Sequence, residues 1–150
     1  MNNNDHDANS LTLCRTTRGH VRILNPCGKD PVAGIDQDDQ GDPLRYNPVQ
    51  HLAIALGCCM TEFARRYLER RNLPTNLIAT VDWELDSRHC RISRFDIRLR
   101  LAVSLPEEER PVLGRMMNHC PVHQALHGNV PVHIYVEPLN EEEWRRVGNT

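Results

Sequence analysis

The sequence has no surplus of either charge, no long apolar run and no two cysteines at Cys-x-x-Cys spacing. Each lack excludes something. With 18 Lys and Arg against 20 Asp and Glu the formal net charge is -2, so there is no overall basic field to hold nucleic acid or an anionic membrane. No stretch approaches the length of a membrane span, and the start, MNNNDHDANS, lacks the charged leader and apolar run of a secretory signal. A cytoplasmic protein with no nucleic-acid or membrane partner is expected. The missing Cys-x-x-Cys spacing leaves a zinc ribbon or a thioredoxin-type motif without support. Six cysteines in a short secreted chain would suggest a disulfide framework, but 150 residues can bury a real core. Reduced thiols are therefore the expectation.

What is present reads as one α+β domain. The first ten residues are polar and expected to be disordered, residues 11–137 form the domain, and residues 138–150 are a tail in which NEEEWRRVGNT adds a helical turn. LTLCRTT and HVRIL read as a hairpin joined around Arg18 and Gly19, and residues 25–46, rich in Pro, Gly, Asp and Gln, as a long loop. Asn47 offers an N-cap, Pro48 suits the first helical position, and Gln50 has capping-box spacing. Leu52, Leu56, Cys59, Phe63 and Tyr67 then form an apolar stripe on a helix that runs to about Asn72, where Asn and the following Pro74 give a stop. Alternation predicts strands from Leu77 to Leu85 and from Phe95 to Val103, with a turn over Ser87 to Ser93. A helix over PEEERPVLGRMMNH follows, then a short one that Pro121 opens and Gly128 ends, then a strand from Val130 to Val136.

Two segments carry chemistry. NPVQHLAIALGCCM opens the long helix, and NHCPVHQAL comes about sixty residues later. A proline-led helix reading roughly P-x-x-L-x-x-A-L-G-x-C, two strands, a helix and C-P-V-H-x-x-L before a last strand resembles the OsmC/Ohr family over about residues 11 to 137. The resemblance implies a curved antiparallel sheet packed on a long central helix, in an intertwined homodimer with active sites at the subunit interface. It also implies a thiol peroxidase that reduces organic hydroperoxides, with an external thiol or dithiol as reductant and no metal, flavin or haem. Cys59 falls on the family's attacking cysteine and Cys120 on the resolving one. A sulfenic acid on the first would condense with the second to a disulfide, which guards against over-oxidation.

Taken without that likeness, a cysteine on an apolar helix stripe is usually a small buried hydrophobe, so the pairing of the two motifs carries the case for Cys59. Cys58, rotated about 100° from Cys59, reads as packing or as a competing resolving thiol. Cys14, Cys27 and Cys90 match no motif. From local physics alone Cys120, at a helix start, looks the more acidic of the principal pair, and Cys59, about three turns into its helix, looks desolvated.

In the peroxidases of the family an arginine from the N-terminal strands and a glutamate near the helix start activate the thiol. Arg18 is the nearest match for the arginine, with Arg15, Arg22 and Arg45 as rivals. The glutamate position, ten residues before Cys59, holds Val49. Gln50 beside it can orient an arginine but supplies no charge, which leaves the carboxylate to Glu62, Asp36 or Asp42.

Two other readings stay open. One is a non-peroxidase OsmC-like thiol protein that binds or transfers a small sulfur-containing or electrophilic molecule. The other is a metal module built from Cys120 with His119, His123 and His127, which recur at four-residue steps.

Overall fold

Alternation in the strands decides which sheet face meets the long helix. Strands β1 (Ser10–Arg15), β2 (Val21–Leu24), β3 (Pro31–Val32), β4 (Leu77–Asp86), β5 (Arg91–Leu101) and β6 (Val132–Pro138) form one sheet in the order β3-β2-β1-β4-β5-β6. The computed structural model describes residues 9–15, 21–24, 31–32 and 48–148. Residues 1–8 of the expected tail, Arg18, Cys27, Asp36, Asp42, Arg45 and the cap residue Asn47 lie outside the described residues.

The expected α+β class and the β1–β2 hairpin are present, and Ser10, assigned to the disordered tail, already pairs with Asp82. Leu13, Ala79 and Leu99 stand side by side across three strands, and Val81 stands beside Ile97 across two; all are fully buried. On the other face Arg98 meets Asp82 at 3.2 Å and Arg94 meets Glu84 at 2.7 Å, so that face carries paired charges beside the buried Cys14 and Ile78. The tail is more regular than one turn: Glu141–Gly148 forms helix α4, and Glu143 pairs with Arg100 of β5. Asn140 caps it, its side-chain oxygen accepting the Glu142 N–H at 2.7 Å.

Two strand boundaries move. The turn between β4 and β5 covers only Ser87 to Cys90, because β5 begins at Arg91 and a bulge after Glu84 absorbs the extra residue. The last strand starts at Val132, two residues later than the apolar pattern suggests. The expected antiparallel sheet needs one correction: β1–β2, β1–β4, β2–β3 and β4–β5 are antiparallel, but β6 runs parallel to β5. The reason is the crossover through helices α2 (Arg110–Met117) and α3 (Pro121–Leu126), which returns the chain to the same end of the sheet. That crossover also brings Cys120 over the long helix.

Helix α1 spans Pro48–Arg70 and ends in a left-handed residue, as Asn72 suggested. Asn72 has φ 55°, its N–H bonds the Glu69 carbonyl at 3.0 Å, and the Leu73 N–H reaches back to the Leu68 carbonyl at 3.0 Å. These are the two bonds of a Schellman cap. The buried face of α1 is Ala53, Leu56, Gly57, Met60, Thr61, Ala64, Tyr67 and Leu68. It is turned from the stripe read in the sequence: Leu56 and Tyr67 are buried, while Leu52, Cys59 and Phe63 sit half-buried at its edge. Small residues occupy the face that presses on the sheet, whereas the larger apolar ones flank it.

Gly57 shows how close that approach is. A Cβ at this position would lie 2.3 Å from Leu13 Cδ1 and 3.0 Å from Val81 Cγ2, both in the core. Gly57→Val should therefore destabilise the protein by about 1–3 kcal/mol through overpacking. A urea melt checks this; a midpoint equal to the wild type would mean that the helix can lift off the sheet without loss.

Candidate active site

Gly57 lets α1 lie low on the sheet, and the next two residues fall on opposite flanks of the buried face. Cys59 faces the α2–α3 crossover. Cys120, the residue before α3, is fully buried in the core cluster, and Cys59 packs against that cluster. The two side chains are neighbours, and Cys59 bears directly on the Cys120 thiol. Both are free thiols. Two residues 61 positions apart in sequence are thus brought together by a helix flank and a crossover loop.

The acidity that a helix start was expected to give Cys120 is not found. Its pKa is pushed up to about 11, first by burial and then by the hydrogen bond with Cys59. The Val122 and His123 amides pull the other way, as a helix start should, but a short helix end inside a core does not offset desolvation. Cys120 is therefore a protonated S–H at neutral pH, held against Cys59.

Cys58 lies on the opposite flank, next to Arg15. β1 alternates inward at Leu11, Leu13 and Arg15, so the guanidinium emerges under α1 with a side chain only 8% exposed. Its Nη2 donates to the Cys58 carbonyl at 3.2 Å, its Nε and Nη2 reach Thr61 Oγ1 at 3.4 Å, and its Nη1 pairs with Glu62 at 3.1 Å. Thr61 in turn donates to the Cys58 carbonyl at 3.1 Å. Burial raises the Cys58 pKa, while Arg15 pulls it down. A disulfide between Cys58 and Cys59 is excluded while the helix persists, since neighbours on a helix diverge by about 100° and a disulfide needs Cβ atoms about 3.8 Å apart.

Glu62 is one of the carboxylates the sequence left in contention, and among the described residues it is the one bound to Arg15. Arg65 donates to it first, with Arg66 and Arg15 adding, and together they hold it at about 2 against the cost of burial. A lowered carboxylate pKa adds stability above the unfolded value near 4 and loses it as pH falls through about 2. Glu62→Gln should therefore lower the urea midpoint at pH 7, and that difference should close between about pH 4 and pH 2. A gap that persists unchanged at pH 2 would show that the carboxylate charge is not what stabilises.

Gln50 is half-buried in the first turn of α1, about 13 Å along the axis from Cys59. Val49 packs against the core cluster. The histidines named for a metal do not converge: His119 and His127 are exposed and flank α3, while His123 is buried with Nδ1 3.4 Å from the Asn118 carbonyl. Among the described residues no cluster of His, Cys, Asp and Glu can hold a metal, and no helix is long and apolar enough to cross a membrane. An open groove of about 620 Å³ between α2 and β6, lined in part by Gly114, Asn118, Val132 and Tyr135, contains neither principal cysteine.

Sequence reasoning missed Thr61, whose only sign was a polar residue on the small-residue face of α1. It placed Arg15 behind Arg18, although Leu11, Leu13 and Arg15 share one parity and so one sheet face.

Residues 40–135 match the family model described as OsmC-like protein. No curated protein matches the chain. Among solved structures, an osmotic stress induced and detoxification response protein from Psychrobacter arcticus 273-4 superposes with a TM-score of 0.58 at 16% identity, covering 78% of this chain and 87% of that one. An OsmC-like protein from Mycoplasma pneumoniae gives 0.57 at 11% identity, with 86% and 96% covered. An organic hydroperoxide resistance protein OsmC from Legionella pneumophila gives 0.52 at 16% identity, with 85% and 96% covered. At such identities the likeness concerns the fold.

Proposed function

The chain belongs to the OsmC family, and from that premise we propose that it is a thiol-dependent peroxidase that reduces organic hydroperoxides through Cys59 and Cys120. The observation that carries this reading is the contact between the two thiols at the flank of α1. The Cys59 thiolate attacks the terminal oxygen of the hydroperoxide, giving an alcohol and a sulfenic acid. Cys120 condenses with it, releasing water and leaving a disulfide that an external thiol or dithiol reduces. Burial suits Cys120 to resolving: kept protonated, it does not compete for the oxidant, and its position beside Cys59 makes disulfide closure fast.

Arg15 is the guanidinium assigned to this helix, and Glu62 supplies the carboxylate that Val49 does not. Gln50 is left with a structural part at the helix start. The half-buried edge of Leu52, Cys59 and Phe63, continued by exposed Ala55, is the surface proposed for a homodimer.

The test is turnover. The protein with dithiothreitol or dihydrolipoamide should consume cumene hydroperoxide catalytically and hydrogen peroxide more slowly. If no organic hydroperoxide is turned over, the second reading takes precedence: a thiol protein of the same fold that binds a small electrophile. What favours that reading is the apolar Val49 where the family's peroxidases place a glutamate.

A further inference from the structure

Cleaving an O–O bond with a thiolate leaves an alkoxide, a strong base that must be protonated as it departs. Among the described residues the choice of proton donor at Cys59 is narrow. Glu62 is ionised and tied to three arginines. Cys58 projects from the opposite flank toward Arg15. The His123 ring faces the Asn118 carbonyl. The group that neighbours Cys59 is the Cys120 thiol, fully buried in the core cluster against which Cys59 packs.

We propose that Cys120 acts in the first chemical step as well as the second, donating its S–H proton to the alkoxide that leaves when Cys59 cleaves the hydroperoxide. This rests on the peroxidase reading above. The steps balance. The Cys59 thiolate and ROOH give Cys59 sulfenic acid and RO⁻, the thiolate sulfur being oxidised and the O–O bond reduced. Cys120–SH and RO⁻ give the Cys120 thiolate and ROH. The Cys120 thiolate then attacks the Cys59 sulfenic sulfur, forming the S–S bond and expelling hydroxide. Proton donation thus creates the nucleophile for the following step, so a thiol too weakly acidic to ionise by itself becomes reactive only after the peroxide has been cut.

The experiment is single-turnover consumption of oxidant by the reduced protein, comparing wild type with Cys120→Ala and with Cys120→Val, which keeps the volume but has no proton to give. Two oxidants are used: cumene hydroperoxide, whose leaving group needs a proton, and peracetic acid, whose carboxylate leaving group does not. Both variants should consume the first equivalent of cumene hydroperoxide at least about tenfold more slowly than wild type, and peracetic acid within about twofold of it. Equal rates with cumene hydroperoxide would reduce Cys120 to a resolving thiol and overturn the proposal while leaving the peroxidase reading intact. Equal slowing with both oxidants would mean a packing defect and would also overturn it. If wild type consumes neither oxidant faster than Cys59→Ser, the peroxidase reading itself fails.

Discussion

Cys59→Ser should lose hydroperoxide turnover by roughly 10³-fold or more, with the fold intact. The size of the effect follows from chemistry. A hydroxyl is ionised far less than a thiol and cannot be oxidised to a sulfenic acid, so neither the attack nor the disulfide survives the exchange. The fold should tolerate it because Cys59 lies at the half-buried edge of α1, outside the face pressed on the sheet. Turnover with a dithiol reductant, alongside a urea melt, separates the two outcomes. Loss of turnover with an unchanged melt is expected, and retained turnover would place the nucleophile elsewhere. Cys58→Ser is the informative partner: it sits next in sequence but on the Arg15 flank, and it should keep most of the activity.

The largest loss of stability is expected at Phe95. It is fully buried at the core end of β5, paired with Trp83 on one side and Val132 on the other, and faces the same side as Ile97 and Leu99. Phe95→Ala should cost about 3–5 kcal/mol, the transfer of the ring plus the cavity it leaves between β4 and β6. Leu85→Ala, at a side chain 51% exposed near the end of the same hairpin, should stay within about 0.5 kcal/mol. Urea unfolding of both variants gives the comparison. Similar losses at the two sites would mean that the core does not centre on β5.

The parts of this fold that could be read in the sequence are those with a local cause. Pro48, Asn72, Pro121 and Gly128 mark helix boundaries through fixed dihedrals or missing donors, and they stand where those rules put them. The alternation in β4 and β5 shows their core face. What was not legible depends on contacts across the chain. The direction of β6 follows from the length and path of the crossover, which residues 102–131 do not announce one by one. Half of the buried face of α1 is Ala53, Gly57, Thr61 and Ala64, which a search for large apolar residues passes over. At the site, the motifs located Cys59 and Cys120, but the acidity that its place at a helix start suggests for Cys120 is overridden by burial. The Arg15–Glu62 pair joins a strand to a helix 47 residues on, and no local pattern chooses Glu62 over the loop aspartates.

The contact between Cys59 and Cys120 is tested most directly by oxidising the reduced protein with one equivalent of cumene hydroperoxide, blocking free thiols, and mapping the disulfide by peptide mass spectrometry. The expected product is a single Cys59–Cys120 bond, with Cys14, Cys27, Cys58 and Cys90 alkylated. A Cys59 oxidised to sulfinic acid beside a free Cys120, or a disulfide joining any other pair, would contradict it.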